Sequence, residues 1–176
     1  RADTHSAAAL HRYIGWLTDE VGEPWWPLWA ASRDEAKRLF ARLINARPEE
    51  IAFARSTVES ESNLLNGLGE HLAGGNVVTN DLHYGAALYN YQMRRQDGLD
   101  LRVVKNRNWQ IELEDMAQAV DRNTRLVSIS LVSNVNGLLA QVKSISELAH
   151  NRGALLYADI IQAAGAVPID VRAMGI

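Results

Sequence analysis

The chain contains no cysteine, which excludes disulfides, thiolate nucleophiles and cysteine-based zinc sites within these residues. Its five histidines are scattered without the spacing of a metal-ligand set, so no metal is expected. No apolar run is long enough to span a bilayer, and no secretory leader is legible. The sequence opens on Arg1 rather than Met, and truncation of the amino terminus is the expectation. A formal charge of −3 leaves no basic footprint for nucleic acid. Neither nucleic acid nor a membrane is therefore expected as a partner, and the want of cysteine fits a cytoplasmic protein. Internal repeats, low-complexity tracts and domain linkers are also missing. What is present is 176 residues with 47% hydrophobic content, enough to bury one substantial core.

Two helices are expected first. Ala7 to Glu20 carries Leu10, Tyr13, Ile14 and Leu17 at helical spacing. A Trp- and Pro-rich link from Glu23 to Trp29 then leads to Ser32, which with Glu35 has capping-box spacing and opens a second helix to about Asn45. Thereafter short β-branched runs alternate with amphipathic segments. Strands are expected near Ile51 to Ala54, Asn76 to Thr79, Leu101 to Lys105, Leu126 to Leu131 and Ala154 to Ala158. Helix starts are signalled at Ser56 with Glu59 and at Ser144 with Glu147, and Gly153 suits the end of the second of these. This rhythm predicts an α/β fold of three layers, a mainly parallel sheet with helices on both faces. An N-terminal helical segment over 1–47 and a sheet-bearing portion over 48–176 are expected.

The chemistry gathers at strand ends. Ala154 to Ala158 reads as a central strand, buried on both faces, that closes on Asp159 with Gln162 three residues on. An acid at the carboxyl end of such a strand lies where open α/β sheets bind ligands. It suits a cationic group such as the pyridinium of pyridoxal 5′-phosphate, whose ring an Asp keeps protonated; capping a helix would select the same residue. After the strand that ends near Arg55, Ser56 and Thr57 offer hydroxyls and Val58 an amide at a helix start, the form of a phosphate site, although capping explains Ser56 and Glu59 as well. His83 and Tyr84 follow the next strand, with Gly85 permitting close backbone approach, and either ring could stack on a planar ligand. Ser133, Asn134 and Asn136 form a polar turn that local turn preferences also explain. Parallel strands put all four sites on one edge. A dinucleotide-binding Gly-x-Gly-x-x-Gly turn is not in evidence, since Gly67 and Gly69 fall late in an expected helix.

Taken in order, Ser56-Thr-Val-Glu59, His83-Tyr-Gly-Ala86, Val132-Ser-Asn-Val-Asn-Gly137 and Asp159-Ile-Ile-Gln-Ala163 resemble successive motifs of the class V aminotransferases. That family of fold type I pyridoxal-phosphate enzymes includes cysteine desulfurases, selenocysteine lyases and isopenicillin N epimerase-like proteins. The resemblance runs from about Pro48 to Ile176 and is most specific from Asp159 to Val171. It implies the large domain of a pyridoxal-phosphate-dependent transferase, in incomplete form. It further implies that Thr57 and the Val58 amide, with Ser56, bind the cofactor phosphate, and that Tyr84 stacks on the ring. Asn134 would lie near the ring hydroxyl and substrate carboxylate, Asp159 would pair with the ring nitrogen and Gln162 would bond the ring hydroxyl. Tyr84 in place of the His usual in cysteine desulfurases is nearer the epimerase-like branch, and Val58 replaces a frequent Thr.

The family also implies a transferase or lyase acting on a small amino acid through a Schiff base, and a homodimer. The chain's three lysines, Lys37, Lys105 and Lys143, do not stand where the family places its imine lysine, which would follow the Asp159 motif beyond Ile176. A piece of a longer polypeptide, inactive alone, is the expectation. The alternative is a non-catalytic homologue that binds a phosphate ligand or a protein partner. Trp25, Trp26 and Trp29 would line a substrate entrance or a dimer contact, or pack in the core.

Overall fold

The computed structural model describes residues 3–19 and 25–176, which fall into two units, one reaching Lys37 and one beginning at Arg38. In the first unit, helix α1 (Thr4–Asp19) starts on Asp3, whose carboxylate accepts from the His5 and Ser6 amides at 2.8 and 2.9 Å. The rings of Tyr13 and Trp16 stack at 6.1 Å. Helix α2 (Trp25–Ile44) begins seven residues before the expected cap, so Ser32 is helical interior rather than an N-cap. Pro27 does not prevent this, because the first-turn N–H it lacks would have no intrahelical acceptor. Trp29 is partly exposed and carries the Arg33 guanidinium 5.0 Å from its ring centre; the side chains of Trp25 and Trp26 and the start of the expected link lie outside the described residues.

The second unit is built on four parallel strands in the order β2-β1-β3-β4. They are β1 (Asn76–Asn80), β2 (Asp100–Val104), β3 (Thr124–Ser130) and β4 (Leu155–Asp159). Three corrections to the expected elements follow. Ile51 to Ala54 forms no strand: Ile51 is extended at φ −98° and ψ 121°, but the run pairs with nothing in the described sheet. Among the described residues β4 is the outermost strand, with Leu155 exposed rather than buried on both faces, since an apolar run reports burial only after its neighbours are known. The helix expected to be capped at Ser144 is α7 (Val142–His150), and its N-cap is Gln141, three residues earlier.

Residues alternate sides along a strand, and β3 divides accordingly. Val127, Ile129 and the following Leu131 join Val78, Met116 of α6 (Leu113–Ala119) and Ile145 and Ala149 of α7 in the larger core. Leu126 and Val77 face the other way, onto Leu65 of α3 (Thr57–Gly67), Leu72 of α4 (Gly69–Leu72) and Ala87 and Tyr91 of α5 (Gly85–Arg94). The result is the α/β sheet with helices on both faces that the alternating pattern calls for. The chain leaves β1 for β2 on one side and returns to β3 on the other, so the order reverses between β1 and β3, the place where such sheets form ligand crevices.

Candidate functional site

The carboxyl ends of β3 and β4 stand side by side, with Ser130 and Asp159 as register partners. Above them opens a cleft of about 180 Å³ lined by Thr57, Tyr84, Ser130, Val132, Asn134, Asp159, Ile161 and Gln162. Five residues singled out in the sequence, Thr57, Tyr84, Asn134, Asp159 and Gln162, thus meet around one space although they come from four separate turns. Ser130, Val132 and Ile161 complete the lining; Val132 and Ile161 fall inside the motifs quoted from the sequence, whereas Ser130, at the end of β3, carried no signal of its own.

Each wall is set by local structure. Ser56 is extended and caps α3, its hydroxyl accepting from the Glu59 amide at 3.2 Å, so the structural reading of Ser56 holds and its side chain does not line the cleft. Glu59 turns back to accept from the Arg55 amide at 2.7 Å. Thr57 is the first helical residue, and the N–H groups of this turn have no acceptor within the helix. Val58 follows it in the same turn, half-buried and outside the cleft lining.

After β1 the chain is held in place by side chains. The Leu82 amide donates to Asn80 Oδ1 at 3.0 Å, and the Ser133 hydroxyl donates to the Leu82 carbonyl at 2.7 Å. The two candidate rings that follow are separated by this arrangement. His83 is buried, with Nδ1 2.7 Å from Ser130 Oγ and Nε2 3.0 Å from Ser128 Oγ, whereas Tyr84 is half-buried and borders the cleft. Burial pushes the His83 pKa down to about 4, so the imidazole is neutral at physiological pH.

In the turn after β3, Ser133 and Asn136 serve the backbone, Asn136 donating to the Trp109 carbonyl at 2.9 Å and accepting from the Leu138 amide at 3.0 Å. Asn134, exposed, is the member of that turn whose side chain reaches the cleft.

Asp159 is the buried acid of the site, 5% exposed. Its Oδ1 accepts from the Ile161 amide at 2.9 Å, and its Oδ2 is buried without any partner. A buried carboxylate oxygen left unpaired is costly, so this atom marks where an N–H donor, best a cationic one, is accommodated. The lining brings together the first turn of α3, the Tyr84 ring and an acid with an unpaired oxygen. It fits a flat ligand with an anionic tail and a protonated nitrogen.

Among the described residues no cluster of three metal-ligating side chains occurs, and no helix is long and apolar enough to cross a membrane. Sequence reasoning missed Glu61, which is fully buried beneath the cleft. Its signal was the spacing Thr57, Glu61, Leu65, one acid on the inward stripe of α3.

The chain is similar to known proteins in sequence and in fold. The chain is 34% identical over 142 residues to a probable cysteine desulfurase of Methanothermobacter thermautotrophicus, covering 80% of this chain and 35% of that protein. It is 30% identical over 171 residues to the cysteine desulfurase IscS of Shewanella sediminis, covering 96% of this chain and 39% of the relative. The chain therefore spans less than half the length of these curated relatives. Among solved structures, a NifS-like protein superposes with a TM-score of 0.84 at 19% identity, over 100% of this chain and 50% of the other. The cysteine desulfurase CsdA of Escherichia coli does so at 0.82 and 20% identity, over 97% and 45%; at these identities the likeness is one of fold. The family profile described as aminotransferase class-V matches residues 29–176, and the chain belongs to that family.

Proposed function

We propose that this chain carries the cofactor cleft of a pyridoxal-phosphate-dependent transferase or lyase acting on a small amino acid. The observation that carries the reading is Asp159, whose Oδ2 is buried, unpartnered and part of the cleft wall. When bound, the cofactor supplies an aldehyde and an electron-accepting ring. Thr57 and the first-turn amides of α3, including that of Val58, hold its phosphate, a helix N-terminus being suited to an anion by its free N–H groups and its dipole. Tyr84 covers one face of the ring. Asp159 holds the proton on the ring nitrogen through its free Oδ2, and the low exposure of that oxygen strengthens the pairing by excluding water. Gln162 and Asn134 border the cleft where they orient the ring hydroxyl and the substrate carboxylate. No lysine lines the cleft among the described residues, and the lysine that anchors the aldehyde is proposed to come from outside residues 1–176. The same observation favours a second reading, a non-catalytic homologue that binds a phosphate ligand in this cleft.

Titration of the full-length protein with pyridoxal phosphate, followed by absorbance and by borohydride reduction with mass analysis, separates the two. One cofactor reduced onto one lysine supports the enzyme. Reversible binding without an adduct supports the second reading, and no binding removes both. Elution of the full-length protein as a dimer would support the expected homodimer.

A further inference from the structure

Behind the cleft lies a buried polar cluster to which the reading above gives no role. Glu61 sits one helical turn deeper on α3 than Thr57 and is fully buried. His83 Nε2 is 4.0 Å from Glu61 Oε1 and 3.0 Å from Ser128 Oγ, and its Nδ1 is 2.7 Å from Ser130 Oγ. The Glu61 oxygens lie against the hydroxyls of Ser128 and Tyr91 without completing a hydrogen bond. Ser130 in turn borders the cleft next to Asp159. Each hydroxyl carries one hydrogen and a neutral imidazole one N–H. A chain running Glu61, Ser128, His83, Ser130 can therefore be hydrogen-bonded in either of two directions, and the group at its buried end chooses between them.

We propose that Glu61, held as the un-ionised acid, fixes His83 as its Nδ1–H tautomer and so turns the Ser130 hydroxyl outward, as a hydrogen donor to a ligand in the cleft. The acid proton of Glu61 goes to Ser128 Oγ, either directly or by way of Tyr91. The Ser128 hydrogen then goes to His83 Nε2, leaving the N–H on Nδ1 to donate to Ser130 Oγ. Ser130 is left with its own hydrogen and no inward acceptor for it. An ionised Glu61 would reverse every bond and present only lone pairs of Ser130 to the cleft.

The surroundings favour the acid. Burial raises the Glu61 carboxyl above its ordinary range; the hydroxyls of Tyr91 and Ser128 offset this only in part, and the neighbouring charge of Asp159 adds to it. The ion-pair partner the structure places beside it is His83, itself neutral in the same dry pocket. Tyr91 and Tyr157 face the cluster as neutral phenols, made weaker acids by burial. Ser130 thereby becomes a ligand-binding residue and Glu61 and His83 positioning residues that act through it.

The identity of the ligand rests on the cofactor reading; the direction of the chain does not. The test is the tautomer of His83 in ligand-free, full-length protein labelled with 15N in its imidazoles, read by long-range proton–nitrogen correlation at neutral pH. The expected result is a proton on Nδ1 and none on Nε2. It should persist in Glu61→Gln, whose amide N–H replaces the acid proton, and change to the other tautomer or a mixture in Glu61→Leu. A proton on Nε2 in the unaltered protein, or a tautomer indifferent to Glu61→Leu, overturns the proposal. In the protein loaded with pyridoxal phosphate, Ser130→Ala should weaken binding by about fivefold to tenfold, the value of one hydrogen bond; unchanged binding overturns the donor role of Ser130. If the unaltered protein binds no pyridoxal phosphate, the cofactor reading fails and the tautomer still decides this proposal.

Discussion

The two faces of strand β3 differ by a shift of one residue and by almost everything else. Val127, Ile129 and Leu131 look into the larger apolar core, with Val78, Met116, Ile145 and Ala149. Leu126, Ser128 and Ser130 look the other way, toward Tyr91, His83 and the cleft. The first face holds the strand in place. The second gives up apolar contact from Ser128 onward and gains a line of hydrogen bonds that ends beside Asp159. A buried polar cluster is tolerable only while its members are satisfied, so this face combines recognition with a vulnerability that the first lacks.

The largest difference should come from the acid at the end of that line. If the proposed function holds, Asp159→Ala in the full-length protein is expected to lower the proposed cofactor-dependent activity on the order of a thousandfold, as when one charged or donor group facing the reacting centre is lost. The denaturant midpoint should stay close to that of the parent, and activity within a few-fold of the parent would sink the assignment of Asp159.

Next comes Ile129→Ala on the opposite face, which removes packing without touching the cleft. It should cost about 3 kcal/mol in denaturant unfolding while cofactor affinity in the folded protein is unchanged. A large drop in affinity would show that the two faces are not independent.

Acid then distinguishes the faces without mutation. His83 has its pKa lowered from 6.5 to about 4 in the folded protein. The unfolded chain therefore binds more protons between these values, and stability is present above pH 6.5 and lost as the pH falls toward 4. The loss approaches roughly 3 kcal/mol when both states are protonated. In His83→Gln this part of the acid sensitivity should disappear, and an unaltered pH profile would mean that His83 is not the group responsible.

The smallest effect is expected for Glu61→Gln, and its sign is opposite. The Glu61 carboxyl is raised from 4.5 in the folded state, so the folded protein holds the proton more tightly and stability declines as the pH rises above 4.5. Glu61→Gln should be more stable than the parent at neutral pH, by on the order of 1 kcal/mol, with the difference closing below pH 4.5. A variant less stable than its parent at neutral pH would indicate an ionised and paired Glu61.

Much of this comparison is written in local sequence. The runs near 76–79, 101–105, 126–131 and 154–158 each sit within two residues of β1 to β4, because β-branched runs bounded by turn residues are a short-range signal. The Ser56 cap and Glu59 were legible for the same reason, since a cap is decided within four residues of chain. The errors fall where a partner decides. Among the described residues Ile51 to Ala54 pairs with no strand, and β4 is the outermost of the four strands. At Ser32 a cap signal was overruled by a helix that already ran through it.

The sequence by itself determined most of the alternation of strands and helices, and hence that Thr57 would open a helix and that Tyr84, Asn134 and Asp159 would stand at or just beyond strand ends, because periodicity and turn chemistry act over a few residues. Only the tertiary structure decided that these ends converge on one cleft. It alone separated the rings of His83 and Tyr84, burying one against Ser128 and Ser130 and leaving the other at the opening. It also set Glu61 beside His83, 22 positions away in the chain. Burial and proximity belong to the packed sheet, and no local stretch of chain contains them.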